Sequence, residues 1–551
     1  MKRRHVLAGL AATLPALALP RHVLGADMSP GGLVPTAAGP FAPDWDSLTQ
    51  YRTPDWFRNA KFGLWAHWGP QCEPEFGDWY ARNMYKEGSD AYRYHVQKYG
   101  HPSKFGFKDV IRQWRAEQWD PDSLLALYRK AGARYFVALA NHHDNFDLYD
   151  SRFQPGWNAT RIGPKKDLIA GWAKAARAQG LRFGVSVHAS HAWTWYEVAQ
   201  GADKTGPLAG IPYDGVLTAA DGKGLWWEGL DPQLLYAQQH PLSRKVERPE
   251  FNAQWAWGAG AALPSRNYME TFHNRTIDLI DKYDPDLVYF DDTALPLWPA
   301  SDVGLRIAAH MYNRSLATRG RVEAVINGKI LDERQRRSLV WDIERGQTDA
   351  IEPLPWQTCT CIGGWHYSRP GYERNEYKSA QTVVHMLVDI VSKNGNLLLS
   401  VPVRGNGTID EKEQAIVEEI GRWMAVHGEA IYDTRPWTVF GEGPALHRTA
   451  PLTDQGMNEG KNAPLSAADI RFTAKDDTVF AFVMGWPAGR EITITALGTA
   501  AGHLKRPVAR VEFVGTGAAL AFRQAPDGLK VTLPAAKPAL PYAFALKVLV
   551  A

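Results

Sequence analysis

Two acidic residues close an apolar run in the middle of the chain. Asp291 and Asp292 end Leu287-Val-Tyr-Phe290, which Asp286 precedes. In a strand, side chains alternate between two faces, so only one of the pair points inward. The other reading is that both cap the following segment. A further acid, Glu344, follows Val340-Trp-Asp-Ile343 and stands beside Arg345, itself a candidate substrate contact. An adjacent cation lowers a carboxyl pKa, which suits a base or binding group better than a proton donor. Neighbours on a strand face opposite sides, so Glu344 serves as a donor if Arg345 turns away. Glu352, ahead of Pro353, is the rival donor and reads equally well as a solvated surface charge. Cleaving a glycosidic bond takes one carboxyl group to attack or activate water and another to protonate the leaving oxygen.

Histidines stand at similar places. His67 follows Phe62-Gly-Leu-Trp-Ala66, and His142, His143 and Asp144 follow a second apolar run. Metal ligation is one use for them. Adjacent histidines lack the i, i+4 spacing of a helical zinc motif, so neither a metal nor any other cofactor is expected. The other use is hydrogen bonding to sugar hydroxyls, because neutral imidazole both donates and accepts. The 22 tryptophans favour sugars, whose apolar faces pack on aromatic rings, although most of these rings will fill the core.

Units of helix, glycine and strand must hold these residues. Strands are expected at 62–67, 134–140, 182–188, 286–292, 322–327, 339–343 and 396–401, with helices over 123–130, 167–179, 268–283, 308–319 and 379–391. Repeated units of this kind give parallel strands with crossover helices. Most runs stay apolar until their carboxyl ends, where His, Asp, Glu or Asn appears. A barrel places its chemistry there. An open doubly wound sheet would want a glycine-rich phosphate turn after the first strand, and none is present. The fold class is therefore α/β, a TIM barrel of the (β/α)8 type, regular or irregular, over residues 46–433. Residues 201–263 form a long, poorly periodic insertion with Trp226, Trp227, Trp255 and Trp257, read as part of the active site. After Thr434 short strand candidates between Gly/Pro turns indicate a C-terminal β-sandwich over 434–551.

Lys2, Arg3 and Arg4 followed by an apolar stretch read as an export signal over residues 1–26, with a Gly/Pro/Ala-rich linker over 27–45. Arg3-Arg4-His5-Val6-Leu7 resembles a twin-arginine signal, which implies a periplasmic destination. Removing 1–26 takes four of the 62 basic residues and no acid, leaving 58 against 59. The net charge of +3 belongs to the signal, and no basic field points to nucleic acid. No internal apolar run is long enough to span a membrane. Three cysteines, Cys72, Cys359 and Cys361, make no disulfide framework.

In order along the chain, these segments resemble the α-L-fucosidases of glycoside hydrolase family 29. The resemblance rests on Lys61-Phe-Gly-Leu-Trp-Ala-His-Trp-Gly-Pro70, Asp78-Trp79-Tyr80, Asn141-His-His-Asp-Asn-Phe146, Tyr289-Phe-Asp291, Ile362-Gly-Gly-Trp-His-Tyr367, Lys393-Asn-Gly-Asn-Leu-Leu-Leu399 and Glu429-Ala-Ile-Tyr432. It covers roughly residues 50–440. It implies a retaining exo-glycosidase that releases terminal α-L-fucose from fucosylated oligosaccharides or glycoconjugates, with Asp291 as nucleophile. It places His67, Trp79, His142 and His143 in the fucose pocket and Trp365 beside the sugar. Asp78 stands where many members have Glu, and His188 where many have Tyr. Many members also place the acid/base directly after the Trp of the segment that here reads Trp356-Gln357, and an amide cannot replace a carboxylic acid. Some members use an acid about a dozen residues upstream, which selects Glu344 over Glu352. The rivals are a non-catalytic glycan-binding protein on the same fold and a metal-dependent hydrolase using the histidines.

Overall fold

Eight parallel strands close into a barrel in sequence order. They are β1 (Phe62–Ala66), β2 (Tyr135–Asn141), β3 (Arg182–Val187), β4 (Leu287–Thr293), β5 (Val325–Lys329), β6 (Val340–Glu344), β7 (Trp356–Cys361) and β8 (Gly395–Ser400). Phe62 pairs with Leu397 to close the ring. The structure, a computed structural model, describes residues 32–237, 240–244, 257, 260–446, 449–452 and 457–551. The expected export signal and Trp255 of the insertion lie outside the described residues.

Strands covered by helices outside and by side chains inside are buried on both faces, which explains the nearly unbroken apolar runs. β2 and β8 have no exposed residue. The crossover helices start on side-chain caps. Asp120 accepts from the Ser123 N–H before Pro121–Lys130, and Asp167 from the Ala170 N–H before Leu168–Ala178. Gly180 and Gly320 end helices in the left-handed region, with φ of 66° and 71°. The barrel is irregular on one side. Only a short helix, Glu333–Ser338, joins β5 to β6, and no helix is present between β6 and β7. β7 lies where the sequence suggested no strand. Its run Trp-Gln-Thr-Cys-Thr-Cys mixes polar and apolar types on both faces, yet all six residues are buried.

The insertion is docked on the barrel rim. Asp214, 1% exposed, accepts hydrogen bonds from Tyr85 (2.6 Å), Tyr236 (2.6 Å) and Lys108 (3.0 Å). Residues 32–43, within the stretch read as a linker, are also held. The N–H groups of Val34, Ala37 and Phe41 donate to Asn274, His310 and Asn313 on two crossover helices.

Beyond the barrel, β9 (Arg435–Glu442), β10 (Ile470–Lys475), β11 (Thr478–Val483), β13 (Val508–Phe513), β14 (Ala518–Ala519) and β17 (Phe544–Val550) form one antiparallel sheet. The smaller sheet holds β12 (Glu491–Ile494), β15 (Phe522–Ala525) and β16 (Gly528–Thr532). Their facing apolar residues, among them Phe472, Ile494, Val511, Leu529 and Phe544, form a separate core. Asp476 turns the chain between β10 and β11 with φ of 52°. Arg471 of β10 reaches the buried Asp389 of the helix Ala380–Ser392, which also takes Lys393 at 2.7 Å. Trp423 donates to the Ala543 carbonyl at 2.8 Å. These contacts fix the C-terminal sheets to the barrel.

Candidate active site

At the carboxyl end of β4 the alternation of the strand separates the two acids. Asp292 turns away from the mouth and accepts from Ser190 Oγ at 2.8 Å, with His191 Nε2 at 2.9 Å. Asp291 turns into the mouth. Its Oδ2 faces His188 Nδ1 at 3.2 Å and His143 Nε2 at 3.3 Å. Its Oδ1 accepts from the ammonium of Lys329, the last residue of β5. Burial by itself raises the Asp291 pKa. The Lys329 charge and the hydrogen bonds from His143 and His188 outweigh it and hold the carboxyl well below the usual range. Asp291 is therefore ionised at neutral pH.

The same Lys329 Nζ donates to Glu344 Oε2 at 2.5 Å. Two oxygens on one ammonium stand no more than about 5 Å apart, twice a short hydrogen bond. Retaining glycosidases hold their carboxyl groups at about 5–5.5 Å and inverting ones further apart. Burial would lower the Lys329 pKa, but the two carboxylates outweigh it and raise it well above its ordinary value. Arg345, next in sequence, adopts φ of 46° and turns from Glu344 to Glu459, its Nε donating at 2.9 Å. The backbone N–H groups of Asn458 and Glu459 donate to the Arg345 carbonyl at 3.2 and 2.8 Å. A segment of the C-terminal region thus braces the chain just after Glu344.

A cluster of histidines forms the pocket wall beside Asp291. His67 ends β1's extension, His142 and His143 that of β2, and His188 that of β3. His366 joins them, its ring 4.7 Å from His67 and 4.8 Å from His142. His366 Nδ1 contacts Asp78 Oδ1 at 2.6 Å, and Gln71 Nε2 donates to His142 Nδ1 at 2.7 Å. His143 Nδ1 donates to the His188 carbonyl at 2.9 Å. Burial first, then the neighbouring imidazoles, drives the pKa of His67 and of His142 well below 6.5. For His188 burial outweighs the pull of Asp291, leaving about 4. These three rings are neutral at pH 7, so each offers one donor and one acceptor. Both nitrogens of His67, and Nε2 of His188 and His366, have no partner among the described residues. Buried polar atoms left open in this way suit a polyhydroxylated ligand. Trp365 packs on His67 at 5.5 Å, and Trp79, at φ of 58°, meets His143 at 6.1 Å.

Two groups could also hold a metal ion. The ligand atoms of His67, Asp78, His142 and His366 lie within 4.8 Å of one another, and so do those of His142, His143 and His188. Both sets are partly engaged already, His142 with Gln71, His366 with Asp78, and His188 with Asp291.

The rival acid and the amide in the expected acid position both lie away from this cluster. Glu352 sits at the amino ends of β7 and β8, the opposite end of the barrel. There its N–H donates to the Lys393 carbonyl and Arg336 holds its carboxylate at 3.3 Å. Gln357, inside the barrel, accepts from Tyr135 at 2.9 Å and donates to Asp342 at 2.7 Å. It is a core hydrogen-bonding group. Sequence reasoning missed Lys329 and His366. Lys329 lies two residues beyond the strand expected at 322–327, in the strand-end position it shares with Asp291, Glu344, His67, His142, His143 and His188.

The chain matches the alpha-L-fucosidase family over residues 33–429 and the alpha-L-fucosidase C-terminal domain over residues 464–549. It is 26% identical to the tissue alpha-L-fucosidase of Homo sapiens over 96% of each chain. It is 25% identical to that of Rattus norvegicus, over 94% of this chain and 93% of the relative. In fold it is similar to the crystal structure of the Thermotoga maritima alpha-fucosidase, with a TM-score of 0.64 and 24% identity. That match covers 92% of this chain and all of that one.

Proposed function

The chain belongs to the alpha-L-fucosidase family and is a glycoside hydrolase, and from that premise we propose that it releases terminal α-L-fucosyl residues from glycans by double displacement with retention. Asp291 attacks the anomeric carbon while Glu344 gives its proton to the leaving oxygen. The glycosyl ester forms as the glycosidic bond breaks. Glu344, now ionised, takes a proton from water, which displaces Asp291 and restores both groups. His67, His142, His143, His188, Asp78, Trp79 and Trp365 bind the sugar.

The observation that carries this reading is the single ammonium shared by two carboxyl groups. In each half-reaction one negative charge moves between Asp291 and Glu344. Before attack it rests on Asp291, and in the glycosyl ester it rests on Glu344. Lys329 touches both positions, so it balances the charge throughout without moving. Such fixed electrostatics stabilises charge as it develops.

The test is a hydrolysis panel of an aryl α-L-fucoside and natural fucosylated oligosaccharides. Asp291→Ala should abolish turnover of both. Glu344→Ala should impair natural glycosides more than aryl ones, because a good leaving group needs little acid help. Substantial turnover by Asp291→Ala would overturn the nucleophile assignment. The histidine groups favour a second reading, metal-assisted hydrolysis. Full activity after exhaustive chelation removes it.

Export completes the proposal. Among the described residues no helix is long and apolar enough to cross a membrane. The basic and apolar segment 1–26 supports passage to the periplasm by a twin-arginine route. Arg3→Lys/Arg4→Lys should leave the protein in the cytoplasmic fraction, and unchanged export would refute that route.

A further inference from the structure

A second cleft, of about 540 Å³, opens among connections that leave the carboxyl ends of β1, β2 and β3. Arg112 and Arg115 come from the β1–β2 connection, Arg161 and Lys165 from the β2–β3 connection, and Trp226 from the insertion. None of its lining residues is acidic. The guanidinium of Arg112 lies 5.1 Å over the Trp226 ring. The Trp226 N–H donates to Asp109 at 2.7 Å, an acid already engaged by Lys108 at 2.7 Å. Arg115 donates to the Gly163 carbonyl at 3.3 Å. Among the described residues none of the four cations is in an ion pair.

The molecule treats its other arginine cluster differently. At the amino end of the barrel Arg182 and Arg319 share Asp286, at 2.9 and 2.7 Å, and Arg321 pairs with Glu323 at 2.6 Å. There these three charges have counter-charges in the protein, while Arg177 beside them donates to the Tyr283 and Asp284 carbonyls. In the Trp226 cleft four like charges line one concavity with no ion pair among the described residues, Glu73 reaching Arg115 only at longer range, so the local field favours a small anion. Guanidinium groups match the paired oxygens of sulfate esters and carboxylates, and an indole edge or face suits a sugar ring.

We propose that this cleft binds an anionic saccharide, a sulfated or uronate-bearing sugar of the glycan that presents fucose to Asp291. The link to fucose rests on the fucosidase reading; the anion binding does not. The cleft is a binding site remote from the bond that breaks.

Affinity electrophoresis through dextran sulfate, polygalacturonate and plain dextran tests it. The wild-type protein should be retarded by an anionic polymer and not by plain dextran. The two anionic gels tell sulfate from carboxylate. Arg112→Ala/Arg115→Ala/Arg161→Ala should weaken binding at least tenfold. Lys174→Ala/Lys505→Ala/Lys537→Ala removes the same charge from exposed sites elsewhere and should change it less than twofold. The cleft variant should keep wild-type turnover of an aryl α-L-fucoside. Should the triple substitution disturb folding, Arg161→Glu/Lys165→Glu on the exposed loop should give the same tenfold loss. Equal losses in cleft and control variants, or no retardation of the wild type by either anionic polymer, would overturn the proposal. Retardation without any fucoside turnover would instead fault the fucosidase reading alone.

Discussion

Lys329 ties Asp291 and Glu344 to one positive charge, and its replacement separates charge from position. Lys329→Met should lower kcat/KM about 10²- to 10³-fold, in the range found for losing one preorganised electrostatic partner. With the ammonium gone, burial dominates at Asp291 and its pKa rises. The acid limb of the pH–rate profile should therefore move to higher pH, which simple misfolding would not cause. His188 makes a prediction about stability. Its folded pKa of about 4 lies below the ordinary 6.5, so the unfolded chain binds a proton here at pH values where the folded chain does not. Stability is unaffected above about pH 6.5 and falls as pH drops toward 4, by on the order of 3 kcal/mol. His188→Gln should flatten the fall of Tm between pH 7 and 5, and an unchanged slope would contradict the assignment. At this scale the sequence was legible where residue type is unusual for its place. Histidines and acids closing apolar runs marked most of the site. Lys329 was not legible, because a lysine just past a strand ordinarily reaches solvent, and only the folded ring of strands brings two carboxylates to it. The preference for Glu344 over Glu352 came from the resemblance alone, since physically it depends on which end of the barrel each one reaches.

Strands and helices explain which parts were readable. Seven of the eight barrel strands carry apolar runs, and helix caps such as Asp120 and Asp167 mark where crossovers begin. β7 escaped because its inward side carries Gln357, whose amide serves Tyr135 and Asp342 inside the barrel. Its polar residues interrupt the apolar run that marks a strand buried on both faces, although both faces here are dry. The insertion looked like a loop because its order comes from scattered polar contacts, those of the buried Asp203 and Asp214 among them, rather than from periodicity. Asp214→Ala would leave Lys108 with only Asp109 in the interior and remove the carboxylate that accepts from two tyrosine hydroxyls, which keep each other and the Phe107 and Lys108 N–H groups as partners. It should cost about 3–5 kcal/mol, the usual penalty for breaking a buried ion pair. Urea unfolding measures this, and a loss below about 1 kcal/mol would show that the insertion is held by other contacts.

At the scale of the whole molecule, barrel and C-terminal sheets behave as one object. Arg471, Asp389 and Lys393 form a buried charged cluster across their junction. Glu459 gathers Arg345, Thr360 at 2.9 Å and Lys378 at 2.6 Å at the barrel rim. Burial raises the pKa of Glu459, but Lys378 and Arg345 outweigh it and hold the carboxyl below its ordinary value. Glu459→Ala should free Arg345 to approach Glu344 and make the latter a poorer proton donor. Turnover of natural fucosides should fall about tenfold, 1.4 kcal/mol in barrier, with aryl fucosides little affected. Equal losses on both substrates would point to general damage instead. Composition had suggested the two-part division, but the seam between the parts depends on pairings between distant residues that no local pattern announces.

The brace from Asn458 and Glu459 onto Arg345 bears on ancestry and on protein engineering. A recombination event that exchanged everything after Thr434 between two relatives would also exchange the support behind the proton donor. Chimeras should therefore succeed when the crossover falls after residue 462, so that the bracing loop travels with its own barrel.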